Sequence, residues 1–135
     1  MGTYLLAQGT SRNQDIWNLQ YSIEGKIGIL FLEVLSPQGE RGSGGLPTPI
    51  LRPGANLAIY RGQNDTGPSR IIVAVGDQTT SVKVKMSDES EETIDLHESP
   101  LLEEIRFGAL IHPSTKWALN FELYDREGNK QIAIL

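Results

Sequence analysis

Carboxylates crowd one stretch of this chain. Asp88, Glu89, Glu91, Glu92, Asp95, Glu98, Glu103 and Glu104 follow one another with no Lys or Arg between Met86 and Ile105. Oxygen-rich clusters of this kind hold Ca²⁺ when the backbone curls around the ion. The spacing is not that of an EF-hand loop, because the required Gly and terminal Glu are missing. The plainer reading is a hairpin tip and an acidic strand face that keep an exposed edge soluble. His97 stands two residues beyond Asp95, and His112 precedes Pro113. A zinc site wants three or four ligands, and nothing in this spacing demands one. Asp95 and His97 are therefore held as candidate contact residues, and no metal or other cofactor is expected.

Other reactive patterns are incomplete. The run Gly39-Glu40-Arg41-Gly42-Ser43-Gly44-Gly45 invites a phosphate-binding reading. A P-loop needs a Lys-Ser/Thr after the glycines and a helix to follow, and here Pro47 and Pro49 come next. Gly42-Ser43-Gly44 lacks the strand-to-helix setting of a nucleophilic serine. No catalytic residue is assigned. A sugar site would need stacking aromatics. Tyr60 and Arg61, beside the polar stretch 61–69, are candidates for ligand contact. Trp17 and Trp117 sit in phase with Leu and Ile and read as core. Asn64-Asp65-Thr66 matches a glycosylation sequon, which matters only in a glycosylating secretory pathway.

The elements that must position these residues read as strands. Trp117, Leu119, Phe121 and Leu123 alternate with Ala118, Asn120, Glu122 and Tyr124 and run into Asp125-Arg126-Glu127-Gly128-Asn129. That is a half-buried strand entering a hairpin. Trp17, Leu19, Tyr21 and Ile23 repeat the pattern, and Glu24-Gly25-Lys26 supplies a tight reversal. Residues 27–35 are nearly continuous apolar and predict a strand buried on both faces. The stretch 36–54, with its clustered Gly and Pro, predicts a surface loop with a brief edge segment near Pro49 to Leu51. Further strands are expected over 4–8, 55–60, 70–75, 82–86, 93–97, 106–111 and 130–135. Ser99-Pro100 suggests one helical turn through Ile105.

With 135 residues the chain is expected to form a single domain over 1–135 with a core of its own. The net charge of −5 argues against nucleic acid or anionic lipid as partner. The absence of cysteine excludes disulfides and thiolate chemistry. No run is long enough for a membrane helix, so no direct membrane insertion is expected. The compartment is open: extracytoplasmic if the chain is a trimmed piece of an envelope protein, cytoplasmic otherwise. Strands spaced by regular turn signals predict an all-β fold, a two-sheet antiparallel sandwich of Ig-like character, with a small barrel as the alternative. The expected core is Trp17, Leu19, Tyr21, Ile29, Phe31, Leu57, Ile59, Ile72, Val82, Val84, Phe107, Leu119, Phe121 and Leu123.

Trp17-x-Leu19-x-Tyr21 before the Gly25 turn, Ile72-Val73 to Gly76 before Val82-x-Val84, Phe107-Gly108, and Tyr124-Asp125-x-x-Gly128 together span most of the chain. In these elements the chain resembles the extracytoplasmic β-sandwich domain of small, uncharacterised Gram-positive envelope proteins. The resemblance implies a sandwich fold and an envelope setting, and no catalytic residues. The functional expectation is a non-catalytic interaction module for a protein partner, acting through loops or an open strand edge. The alternatives are a carbohydrate-binding module and a metal-dependent enzyme using carboxylates and His97.

Overall fold

The computed structural model describes residues 2–63 and 68–134. Every regular element among them is a β-strand: β1 Gly2–Thr10, β2 Ile16–Glu24, β3 Ile27–Leu35, β4 Arg41–Pro47, β5 Leu57–Gly62, β6 Ser69–Gly76, β7 Thr79–Met86, β8 Glu91–Ile94, β9 His97–Ser99, β10 Leu102–His112, β11 Ala118–Asp125 and β12 Lys130–Ile134. All pairings are antiparallel. They build three four-stranded sheets, β1-β2-β3-β4, β5-β6-β10-β9 and β12-β11-β7-β8, and none closes into a barrel. The all-β, sandwich-like expectation holds, with three sheets in place of two.

The third sheet exists because β6 is buried on both faces. Ile72 and Ala74 join Leu19, Tyr21, Leu30, Leu32, Val34 and Phe107 in one core, between the first and middle sheets. Ile71, Val73 and Val75 join Val82, Val84, Met86, Phe121 and Leu123 in a second core, between the middle and third sheets. Successive side chains of a strand point to opposite faces. A run with no polar position therefore needs a packing partner on each side. Residues 71–75 are such a run, and all five are at most 1% exposed.

Residues 27–35 are nearly continuous apolar too, yet β3 is buried on one face alone. Gly28, Leu30, Leu32 and Val34 are buried, but Ile27, Ile29 and Leu35 face outward and are 64%, 40% and 36% exposed. The first sheet has a core beneath it and, among the described residues, no layer above it. The β2–β3 hairpin itself forms as expected, in continuous register from Ile16↔Leu35 to Glu24↔Ile27. Gly25 takes a positive φ of 63° at the reversal, a conformation that costs glycine nothing.

Two further expectations are corrected. The stretch 36–54 is not all loop: Arg41 to Pro47 pair with β3. Nor does residues 99–105 form a helical turn: Pro100 and Leu101 make a tight turn, with the Leu101 amide donating to Ser99 Oγ at 3.2 Å. A strand follows at once.

The alternation at Trp117 to Leu123 also changes phase. Ala118 pairs with Met86 and Asn120 with Lys85, so Leu119 is an extra residue in β11. Such a bulge shifts the two-residue period by one. Ala118, Phe121 and Leu123 are buried, while Trp117 is 54% and Leu119 42% exposed. Two expected core residues thus lie at the surface. Trp17, Phe31, Leu57 and Ile59 are half-buried. The β7–β8 and β11–β12 hairpins, similar in sequence, lie in one sheet with β7 paired to β11.

Candidate interaction surface

The four residues singled out from sequence do not form one site. Tyr60 points from the middle sheet towards the first and is half-buried. Its hydroxyl donates to the Ser43 carbonyl at 3.4 Å, and Arg70 Nη2 donates to the same oxygen at 2.7 Å. A Cβ at Gly44 would lie 1.9 Å from the Tyr60 oxygen, and one at Gly42 would lie 2.7 Å from Arg70 Nη1. The glycine run is therefore a strand kept bare so that Tyr60 and Arg70 can lie against it. It is not a phosphate loop. Tyr60 thus has its hydroxyl on the Ser43 carbonyl and its ring against Gly44.

Arg61, one residue on, points the other way and is exposed. It lines a cleft of about 250 Å³ with Gln63, His112 and Trp117. The sequon at residues 64–66 lies outside the described residues.

Asp95 is exposed in the link between β8 and β9, and its carbonyl oxygen lies 2.4 Å from where a Gly108 Cβ would stand. His97 is half-buried, paired with Phe107 across the strands, with ring centroids 6.3 Å apart. Among the described residues no three His, Asp or Glu side chains converge to hold a metal ion.

The acidic stretch is tied down by cations from elsewhere in the chain. Arg12 meets Glu92 at 3.3 Å, Lys116 lies 3.7 Å from Asp88 and 3.9 Å from Glu92, and Arg106 meets Glu98 at 2.9 Å. Asp88 accepts hydrogen bonds from the Ser90 hydroxyl and amide, which hold its carboxyl below the usual 3.8. Asp125 does the same work at the β11–β12 turn. The Asn129 and Glu127 amides donate to its Oδ1 at 2.9 Å, and these bonds, Asn129 foremost, lower its pKa. These carboxylates shape turns.

His112 is buried, at 5% exposure, with Nδ1 2.8 Å from the Pro113 carbonyl. Burial pushes its pKa below the ordinary 6.5. The imidazole is then neutral near pH 7, with Nδ1 as the donor and Nε2 left as an acceptor.

The feature that sequence reasoning missed is the outer face of the first sheet. By register it carries Leu5 on β1, Ile16, Asn18, Gln20, Ser22 and Glu24 on β2, Ile27, Ile29, Phe31, Glu33 and Leu35 on β3, and Arg41, Ser43 and Gly45 on β4. Leu5 and Ile16 are each 58% exposed. A trough of about 780 Å³ crosses this face, floored by Ile16, Ile29, Phe31 and Leu35. A Cβ at Gly45 would lie 2.5 Å from the Leu30 carbonyl oxygen and 2.7 Å from Phe31 Cβ, so β4 approaches β3 too closely there for a side chain. The signal was present in the sequence: β3 is apolar at both phases, and β4 is too poor in bulk to cover it. Among the described residues no helix is long and apolar enough to cross a membrane.

Neither protein-family models, nor curated proteins, nor solved structures yield a match to this chain.

Proposed function

We propose that this chain is a non-catalytic docking module whose contact surface is the outer face of the first sheet, and that the partner is a protein. One observation carries the reading. Of the ten large hydrophobics exposed among the described residues, Leu5, Ile16, Ile27, Ile29 and Leu35 lie together on that single face. Scattered exposed apolar residues are ordinary, but a contiguous set rimmed by polar groups marks a binding surface. Here Asn18, Gln20, Ser22 and Glu33 stand among the apolar residues on β2 and β3, and Arg41 borders them on β4. The bordering edge strand β1 carries no charged residue from Gly2 to Thr10. Its free edge is thus open to strand addition.

The test uses the chain as bait in an extract of its native organism, with Ile29→Lys and Ile132→Lys as paired variants. Ile132 is a 52% exposed residue of the third sheet and serves as the control. Proteins retained by wild type and Ile132→Lys but lost from Ile29→Lys support the reading. Equal retention by all three contradicts it.

A carbohydrate reading has one observation in its favour. The β11 bulge turns Trp117 outward beside Arg61, Gln63 and His112, which pairs a stacking surface with hydrogen-bonding groups. Titration with oligosaccharides, read by fluorescence against Trp117→Phe, would reveal it as a saturable change that the variant lacks.

A further inference from the structure

We infer that the occupant of the first sheet's outer face is a second copy of this chain, packed face to face about a twofold axis. The inference rests on the docking reading above and names its partner.

Size is the first argument. Three nine-residue strands and the seven-residue β4, spaced about 4.8 Å apart at about 3.3 Å per residue, present at most roughly 19 by 30 Å in projection. The relief of the side chains raises the accessible area above that projection, into the range of the roughly 800 Å² per partner that a standard interface takes. The whole of one face is thus one interface, with no second patch needed.

Charge is the second argument. The chain carries −5 overall, and two copies repel wherever that charge is spread. This face carries only three charges, Glu24 and Glu33 against Arg41, a net of −1. Glu33 lies opposite Ser43, and Arg41 opposite Leu35, so the two are diagonal neighbours of opposite sign. Neither makes an ion pair within 4 Å among the described residues. A twofold interface is self-complementary: if residue i of one copy meets residue j of the other, j also meets i. Glu33 of each copy then meets Arg41 of the other, and the apolar residues beside them on β2 and β3 are covered by the facing sheet. A partner of different sequence would need to supply its own matching charge pair. A second copy supplies it by symmetry.

The geometry is already in use inside the chain. Antiparallel sheets stack about 10 Å apart with their side chains interdigitated, as the first and middle sheets do around Leu30, Leu32 and Ile72. The second copy repeats that stacking on the opposite face of the first sheet.

Sedimentation equilibrium of the full chain, from micromolar to millimolar concentration, tests this. The expected mass rises from 14.9 kDa towards twice that value. Ile29→Lys is expected to hold the mass at the monomer value while leaving the circular dichroism spectrum unchanged. Glu33→Arg and Arg41→Glu are each expected to weaken self-association by more than about tenfold, the low end of the coupling measured for close interfacial charge pairs. The double exchange E33R/R41E is expected to restore it. A wild-type chain that stays monomeric throughout overturns the inference, as does a dimer indifferent to Ile29→Lys. A double exchange as weak as the two singles combined overturns the face-to-face pairing of Glu33 with Arg41. If the wild type is monomeric yet Ile29→Lys still loses its retained proteins from extract, self-association fails and the docking reading stands. If Ile29→Lys changes neither, both fail.

Discussion

Gly44 lies directly beneath Tyr60, so close that a methyl group at 44 would sit 1.9 Å from the phenolic oxygen and 2.0 Å from Cζ. The contact joins the first sheet to the middle one at a strand that sequence propensity disfavours. Glycine weakens a strand, and β4 holds three of them at 42, 44 and 45. The tertiary contact outweighs the local cost. Gly44→Ala is expected to destabilise the fold by about 1–3 kcal/mol, the cost of overpacking. In a Tyr60→Leu background the same substitution is expected to cost less, because the ring is gone. Urea denaturation of the four chains measures both terms. Equal costs in the two backgrounds would show that the ring does not rest on Gly44.

The β11 bulge makes two neighbouring apolar residues behave oppositely. Phe121 is fully buried, and Phe121→Ala is expected to cost roughly 3–5 kcal/mol. Leu119 faces out, and Leu119→Ser is expected to stay within about 0.5 kcal/mol of wild type. Thermal melts of the two variants decide it. A large loss at Leu119 would mean that β11 runs without the bulge.

His112 gives the fold a pH dependence of known sign. Burial holds its folded pKa below 6.5, its ordinary value. Between the two values the unfolded chain binds more protons than the folded one, so stability rises with pH. Acidification through pH 6.5 is expected to lower the melting temperature until the folded pKa is reached. His112→Asn, which keeps a side-chain donor for the Pro113 carbonyl, is expected to flatten that segment of the profile. Asp88 and Asp125 act in a separate window. Their lowered pKa values stabilise the fold above 3.8, and that contribution is lost as pH falls through their folded values. A melting profile with the same slope between pH 7 and 5 in wild type and His112→Asn would contradict the assignment to His112.

Much of the fold was legible because period-two patterning is a direct consequence of strand geometry. The β2–β3 hairpin, the run at Ile71 to Val75 and the hairpin at Asp125 to Asn129 could all be read residue by residue. What patterning cannot supply is which apolar face finds a partner. Ile29 and Ile72 look alike in sequence, yet one is 40% exposed and the other fully buried. The difference is set by how many sheets stack, and on which side. The bulge at Leu119 was hidden for a related reason. One extra residue inverts the phase without altering local composition, so Trp117 read as core. β4 was hidden because the residues that justify its glycines, Tyr60 and Arg70, lie 16 or more positions away in the chain. Phe31, on the outer face of the first sheet, read as core for the same reason as Ile29.

Photo-crosslinking in the intact native cell tests the proposed docking role of the first sheet's outer face most directly. A photoreactive phenylalanine analogue is placed at Phe31, on the outer face of the first sheet, and separately at Ile132, on the third. Abundant, discrete adducts from position 31 and none from position 132 are the expected result, and an adduct at twice the chain mass would identify the second copy. Adducts equally abundant at both positions, or found from 132 alone, would contradict the account.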